Sequence, residues 1–95
     1  MYFSAKLLFE TRPLAHSDSA LSIEERIVLL DSADESAAAE EAASIGKTEE
    51  FTYEASDGGM VIVKFLGIRN LYRLIDDTIG HGTEVYSESH FESNE

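Results

Sequence analysis

The stretch EEFTYEASDGGMVIVKFL, residues 49–66, decides the fold. Phe51 and Tyr53 alternate with polar residues, which is the period-two pattern of a strand that places the aromatic residues on one face and the polar residues on the other. The Asp-Gly-Gly sequence at 57–59 supplies the positive backbone angles that a tight hairpin turn needs. Apolar residues then return at alternate positions from Val61 to Phe65. The sequence therefore predicts an antiparallel hairpin.

The chain after the hairpin is less regular. Residues 68–75 fit either a helical stripe or a bulged strand, and the strand is favoured because the hairpin arm can continue past Gly67. A glycine loop at 80–82 precedes a predicted last strand at residues 83–88. The polar tail, residues 89–95, is expected to fray.

The segment before the hairpin is typical of a helix. The sequence Ser32-Ala-Asp-Glu35 predicts a capping box, in which the serine hydroxyl accepts from the third amide. A run rich in Ala and Glu follows, and Gly46 is placed to end the helix. The predicted apolar stripe of this helix, small enough to lie close to a sheet, consists of Ala38, Ala42 and Ile45.

Two strands are predicted before the helix. Residues 3–10 alternate, and Pro13 ends their pairing because it lacks an amide donor. Residues 23–31 contain an apolar run at 27–30, typical of a strand buried on both faces. The small polar residues between them, 14–22, indicate a loop.

Together these elements predict one α+β domain spanning residues 1–95. Its antiparallel sheet has about five strands in the order β-β-α-β-β-β, with one helix packed on one face. A single helix leaves the other sheet face bare, which would form an apolar patch if the following residues point outward: Leu8, Leu30, Ile62 and Tyr72.

Composition limits the possible functions. Seven Lys and Arg stand against 19 Asp and Glu, a formal net charge of −12. Binding to a nucleic-acid backbone or an anionic membrane requires clustered cations, so we expect neither as a partner. No apolar run is long enough to span a bilayer. The chain has no cysteine, which suits a reducing compartment, and a cytoplasmic location is predicted.

Two sequence motifs carry a family resemblance. They are the N-terminal strand YFSAKLLFE, residues 2–10, and the sequence GTEVYS, residues 82–87. With the helix and glycine hairpin between them, they resemble the bacterial domain of unknown function 4288 family over almost the whole chain. The family has no assigned activity, so the resemblance implies a single domain and no catalytic residue.

No residue pattern announces chemistry, and no catalytic residue, metal site or cofactor is predicted. The three histidines, His16, His81 and His90, have no metal-ligand spacing and are interpreted as solvent-facing. The glycines match no phosphate-binding pattern. Glu84 is interpreted as structural, capping the glycine turn or pairing with an arginine. The motif residues interpreted in this way are Gly82, Thr83, Glu84 and Tyr86.

Charge is concentrated on the helix and the strand that follows it. Residues 31–57 hold nine acidic residues and one basic residue. Clustered carboxylates steer association with basic surfaces. We therefore expect a non-enzymatic module that covers a basic protein partner, of which an immunity-type inhibitor is one form. The candidate partner-binding residues are Asp34, Glu35, Glu40, Glu41, Glu49 and Glu50.

Three other interpretations stay open. The acidic residues can serve only as a solvated, solubilising surface. A bare sheet face can be covered by a second copy, which would make the protein a homodimeric structural module. A pocket between helix and sheet would instead indicate a small-molecule-binding domain.

Overall fold

The computed structural model describes residues 1–15 and 22–90. Four strands and one helix follow in chain order: β1 (Tyr2–Pro13), β2 (Ser22–Asp31), α1 (Glu35–Thr48), β3 (Phe51–Glu54) and β4 (Met60–Arg73). The strands form one antiparallel sheet in the order β2-β1-β4-β3. The two long strands β1 and β4 are therefore central, while β2 and β3 form the edges.

The α+β class, the hairpin and the single helix are confirmed, but the five-strand sheet is wrong. The predicted last strand at 83–88 pairs with no other strand in the described part of the chain. After Leu74, whose amide donates to the Tyr2 carbonyl at 2.9 Å, the chain leaves the sheet, and Tyr86 is held by side-chain contacts instead. The order is β-β-α-β-β. Residues 68–73 belong to β4, as the favoured strand interpretation required.

The helix begins two residues later than a cap at Ser32 would place it. Asp34 is the N-cap, and its carboxylate accepts from the Ala37 amide at 2.8 Å. Ser32 is buried and its hydroxyl donates to the Glu41 carboxylate, so it cannot cap the helix. The predicted capping box is therefore wrong, because a tertiary contact claims the serine.

The face of the sheet beneath α1, here called the helix face, holds the core. Its fully or nearly buried residues alternate along β1 and meet apolar residues of the neighbouring strands. These core residues are Phe3, Ala5, Leu7, Phe9, Leu30, Ala38, Ala42, Val63 and Phe65. Gly46 does not end the helix as predicted, because α1 continues to Thr48. A Cβ at Gly46 would overlap the Phe65 ring, so glycine allows α1 to pack directly on that ring.

Two β-bulges keep the apolar residues of β4 on this face. Leu8 pairs with Gly67 and Phe9 with Phe65, so Leu66 has no opposite residue on β1. In the same way Arg69 has none, because the pairing steps from Ile68 directly to Asn70. Gly67 lies next to the unpaired Leu66 and has a φ of 144°, a backbone conformation that residues with a side chain rarely adopt.

The opposite side of the sheet, here called the second face, was predicted to be bare, but the chain after β4 covers part of it. Leu30 was expected on such a patch, but it pairs with Phe3, and it lies in the core at 5% exposure. Ile23, Ile27 and Leu29 are the exposed apolar residues of β2, so this edge strand is not buried on both faces as its apolar run predicted. Alternate residues point to opposite faces of the sheet, and these three lie on the second face. The chain after β4 reaches the second face at Lys6 and Tyr72.

Candidate functional site

The six candidate partner-binding carboxylates divide by whether they already have a partner. Asp34 caps α1, and Glu41 accepts from buried Ser32. Glu50 accepts from the Phe65 amide at 3.0 Å. Glu49 lies 3.6 Å from the Arg26 guanidinium. These four carboxylates therefore contribute to the fold of this chain.

Glu35 and Glu40 are different. Both are exposed on α1, and within residues 1–15 and 22–90 neither forms an ion pair. Their charge is therefore available to a partner.

An aromatic pair lies beyond the C-terminal end of α1. Phe51 and Tyr53 on edge strand β3 are 51% and 40% exposed, with ring centroids 5.5 Å apart. Their strand partners Val63 and Val61 are buried, so the pair lies at the border of the core. The sequence pattern predicted only that these aromatic residues belong to a strand. Their position directly after Glu49 and Glu50, in a short strand, was the one signal that could have indicated a binding surface.

A second cluster joins the two family motifs on the second face. The Lys6 ammonium lies 4.5 Å from the centroid of the Tyr86 ring. The Tyr86 hydroxyl accepts a hydrogen bond from the side-chain amide of Asn70 at 3.1 Å and donates one to the Glu88 carboxylate at 2.9 Å. Tyr86 also packs edge-on against Tyr72. We call these contacts of Tyr86 and Glu88 with the sheet the latch.

The latch keeps its charged groups ionised. Contact with Tyr86 raises the pKa of Lys6 above its ordinary value, against the opposing effect of partial burial, and Glu25 adds to the rise. The hydrogen bond from Tyr86 lowers the pKa of Glu88, and the positive charge of Lys6 lowers it further. Lys6 is thus occupied within its own chain, and the arrangement stabilises the chain after β4.

The remaining motif residues lie at a turn. The Gly80 amide donates to the Thr83 hydroxyl at 2.9 Å, and Gly82 adopts a φ of 84°. Glu84 lies beside Tyr72, whose pKa is raised first by burial and then by that carboxylate. Thr83, rather than Glu84, therefore satisfies the turn amide.

The other candidate chemistry is sparse. His90 lies 3.3 Å from Glu88, His81 is exposed, and His16 lies outside the described residues. In the described ranges, no three acidic or histidine side chains are placed to hold a metal ion. No helix there is long and apolar enough to cross a membrane. A cleft of about 290 Å³ lies at the β3–β4 turn, and its lining includes Pro13 and Met60 but no residue of α1.

Fold and latch together define a small α+β domain whose N-terminal and C-terminal motifs meet on one face of its sheet. The chain belongs to the family described as Domain of unknown function (DUF4288), whose model matches residues 2–87. The match includes both motifs and therefore confirms the resemblance. Comparison with curated proteins and with solved structures gave no match.

Proposed function

We propose that this protein is a non-enzymatic module that binds a basic protein partner through α1 and β3. The observation that carries the proposal is the exposed Phe51–Tyr53 pair beside a carboxylate-rich helix. Aromatic residues dominate the energetic centres of protein interfaces. Their ring faces also attract arginine and lysine. An aromatic centre with an acidic surround fits a partner that presents basic side chains.

The contacts of the six candidate carboxylates within this chain indicate which of them can bind a partner directly. Glu35 and Glu40 can meet a partner without losing an internal ion pair. Glu49 can exchange Arg26 for a partner's cation, since the pair is only partly buried. Asp34, Glu41 and Glu50 are expected to act indirectly, by holding α1 and β4 in place. An immunity-type inhibitor that covers a basic surface is one form of such a protein.

The test is a pull-down with tagged protein from the native host lysate at low and high salt, read by mass spectrometry. A stoichiometric basic protein that elutes with salt supports the proposal. Recovery of only the untagged copy of this chain contradicts it, because the acidic surface would then serve solubility.

The recovered partner then allows a comparison of variants. Phe51→Ala/Tyr53→Ala should weaken binding by about 10- to 100-fold, because it removes the interface centre. Glu35→Gln/Glu40→Gln should weaken it by only a few fold and reduce its salt dependence. The control Asp76→Asn/Asp77→Asn makes the same charge change after β4 and should leave affinity unchanged. Equal effects of the two charge variants would contradict a local acidic surface.

A further inference from the structure

The outer edge of β2 is long and unpaired. Ten residues, Ser22–Asp31, form this edge strand, and no strand within residues 1–15 and 22–90 pairs with its free side. Proteins usually shorten, charge or cover such edges, because open amides and carbonyls recruit other strands. Here the edge displays exposed apolar side chains, at Ile23, Ile27 and Leu29.

The backbone groups that face outward can be identified from the pairing. The Ser32 amide donates to the Met1 carbonyl at 2.9 Å, directly opposite in the register of β1 and β2. Hydrogen-bonding direction alternates along an antiparallel strand, and this register has no bulge. The odd-numbered residues of β2 therefore direct their N–H and C=O groups away from β1.

The side chains of β2 form a self-complementary pattern about Glu25. Ile23 and Ile27 lie two residues to either side on the second face. Glu24 and Arg26 lie one residue to either side on the helix face, with opposite charges. Within one chain the Arg26 guanidinium lies 2.9 Å from the Glu24 carboxylate, so in a dimer each guanidinium would be shared with, or exchanged for, the second copy's carboxylate. A two-fold axis through Glu25 and perpendicular to the sheet would place Ile23 opposite Ile27 and Glu24 opposite Arg26.

We propose that a second copy of this chain pairs with β2 in that register and joins the two sheets into one. Ile23 then faces the second copy's Ile27, and Glu24 faces the second copy's Arg26. An axis at Glu24, at Arg26 or at Ile27 would bring no Glu24 opposite an Arg26, so only the axis at Glu25 forms these two charge pairs. The two Glu25 residues meet at the axis, where Lys6 and Arg69 of the same chain, 3.4 and 3.9 Å from each carboxylate, offset their charge.

This self-association uses a different surface from the acidic one proposed above, although Arg26 touches both through Glu49, and the response to salt separates the two. Each chain carries a net charge of −12, so two copies repel, and dimerisation should strengthen as salt screens that repulsion. Binding of a basic partner should weaken instead. Sedimentation velocity of the whole chain at about 1–200 µM, at low and high salt, measures the first effect. A monomer at every concentration and salt would overturn the dimer.

A charge-exchange experiment tests the register. Glu24→Lys and Arg26→Glu should each weaken homodimerisation by about tenfold or more, because each places like charges opposite one another twice. Mixing the two variants should restore association, since every opposed pair in the mixed dimer is then complementary. Failure of the mixture to associate, with both variants folded, would overturn the register.

A backbone variant keeps the proposal testable if the charge variants fold poorly. The Ile27 amide faces away from β1, so Ile27→Pro removes a donor that only a second copy would use. We expect a folded monomer by circular dichroism and sedimentation. The control Val28→Pro removes an amide that bonds to β1 and should lower the melting temperature. Dimerisation retained by Ile27→Pro would place the interface elsewhere and overturn the proposal.

Discussion

The two faces of the sheet are held together by different physical means. The core of the helix face is shielded from solvent, and Phe3, Leu7 and Phe9 on β1 are no more than 2% exposed. The second face is held by the latch, in which Lys6, Tyr86 and Glu88 combine charge, ring contact and hydrogen bonds at partly exposed positions. Burial of apolar area is the larger source of free energy, since exposed ion pairs contribute little.

The helix face is expected to determine the stability of the whole domain, and the latch to determine the order of the chain after β4. Removing contacts from the helix face should lower the free energy of unfolding of the whole domain. Removing contacts from the latch should release mainly the chain after β4, because local opening costs less than global unfolding. Lys6 and Tyr86, one from each of the two motifs, therefore meet on the face that we expect to be the less stable of the two.

The largest expected effect comes from truncating the centre of the helix face. Phe9→Ala should lower the free energy of unfolding by about 3–5 kcal/mol, since it leaves a cavity beneath the Phe65 ring. Phe51→Ala makes the same chemical change at an exposed position and should cost less than about 1 kcal/mol. Urea unfolding followed by circular dichroism measures both. Equal losses would mean that the aromatic pair of β3 belongs to the core.

A smaller loss is expected where α1 touches the sheet. Gly46→Ala places a methyl group against the Phe65 ring, and the overpacking should cost about 1–3 kcal/mol, offset by roughly 1 kcal/mol of helix propensity. The control Gly80→Ala adds the same methyl group in open space and should leave the melting temperature nearly unchanged. A Gly46→Ala protein more stable than the wild type would show that the ring can move aside.

Sequence predicted the elements whose signals are local. The alternation of Phe51 and Tyr53, the glycine turn and the alanine-rich helix each depend on neighbouring residues, and all were confirmed. The helix cap could not be predicted in the same way. Ser32 and Asp34 are both good caps, and the choice depends on Glu41, which lies nine residues after Ser32 and accepts the serine's hydrogen bond.

The candidate site was harder to predict for the same reason. Composition located the acidic segment, but it could not show that Glu50 bonds to the β4 backbone while Glu40 stays exposed. The alternation of Glu84, Val85 and Tyr86 indicated a strand. Tyr86 instead makes side-chain contacts with residues of β1 and β4 that are distant in sequence.

The smallest expected effect is a response of the latch to acid. Tyr86 and Lys6 lower the pKa of Glu88 below its ordinary value of 4.5 in the folded protein. The stabilisation is therefore complete above about pH 4.5 and is lost as the pH falls through the lowered folded value. As the pH falls below about 4.5, the NMR signals of the Tyr86 ring should move before those of Phe9, which report on the helix face.

Glu88→Gln should remove this response, because an amide accepts from the Tyr86 hydroxyl at every pH but does not attract the Lys6 charge. The latch would then be weaker at neutral pH and insensitive to acid. Asp76→Asn, which changes a carboxylate outside the latch, should leave the wild-type response intact. If the Tyr86 and Phe9 rings respond together in the wild type, the latch and the helix face unfold as one unit, and the second face contributes to global stability as the core does.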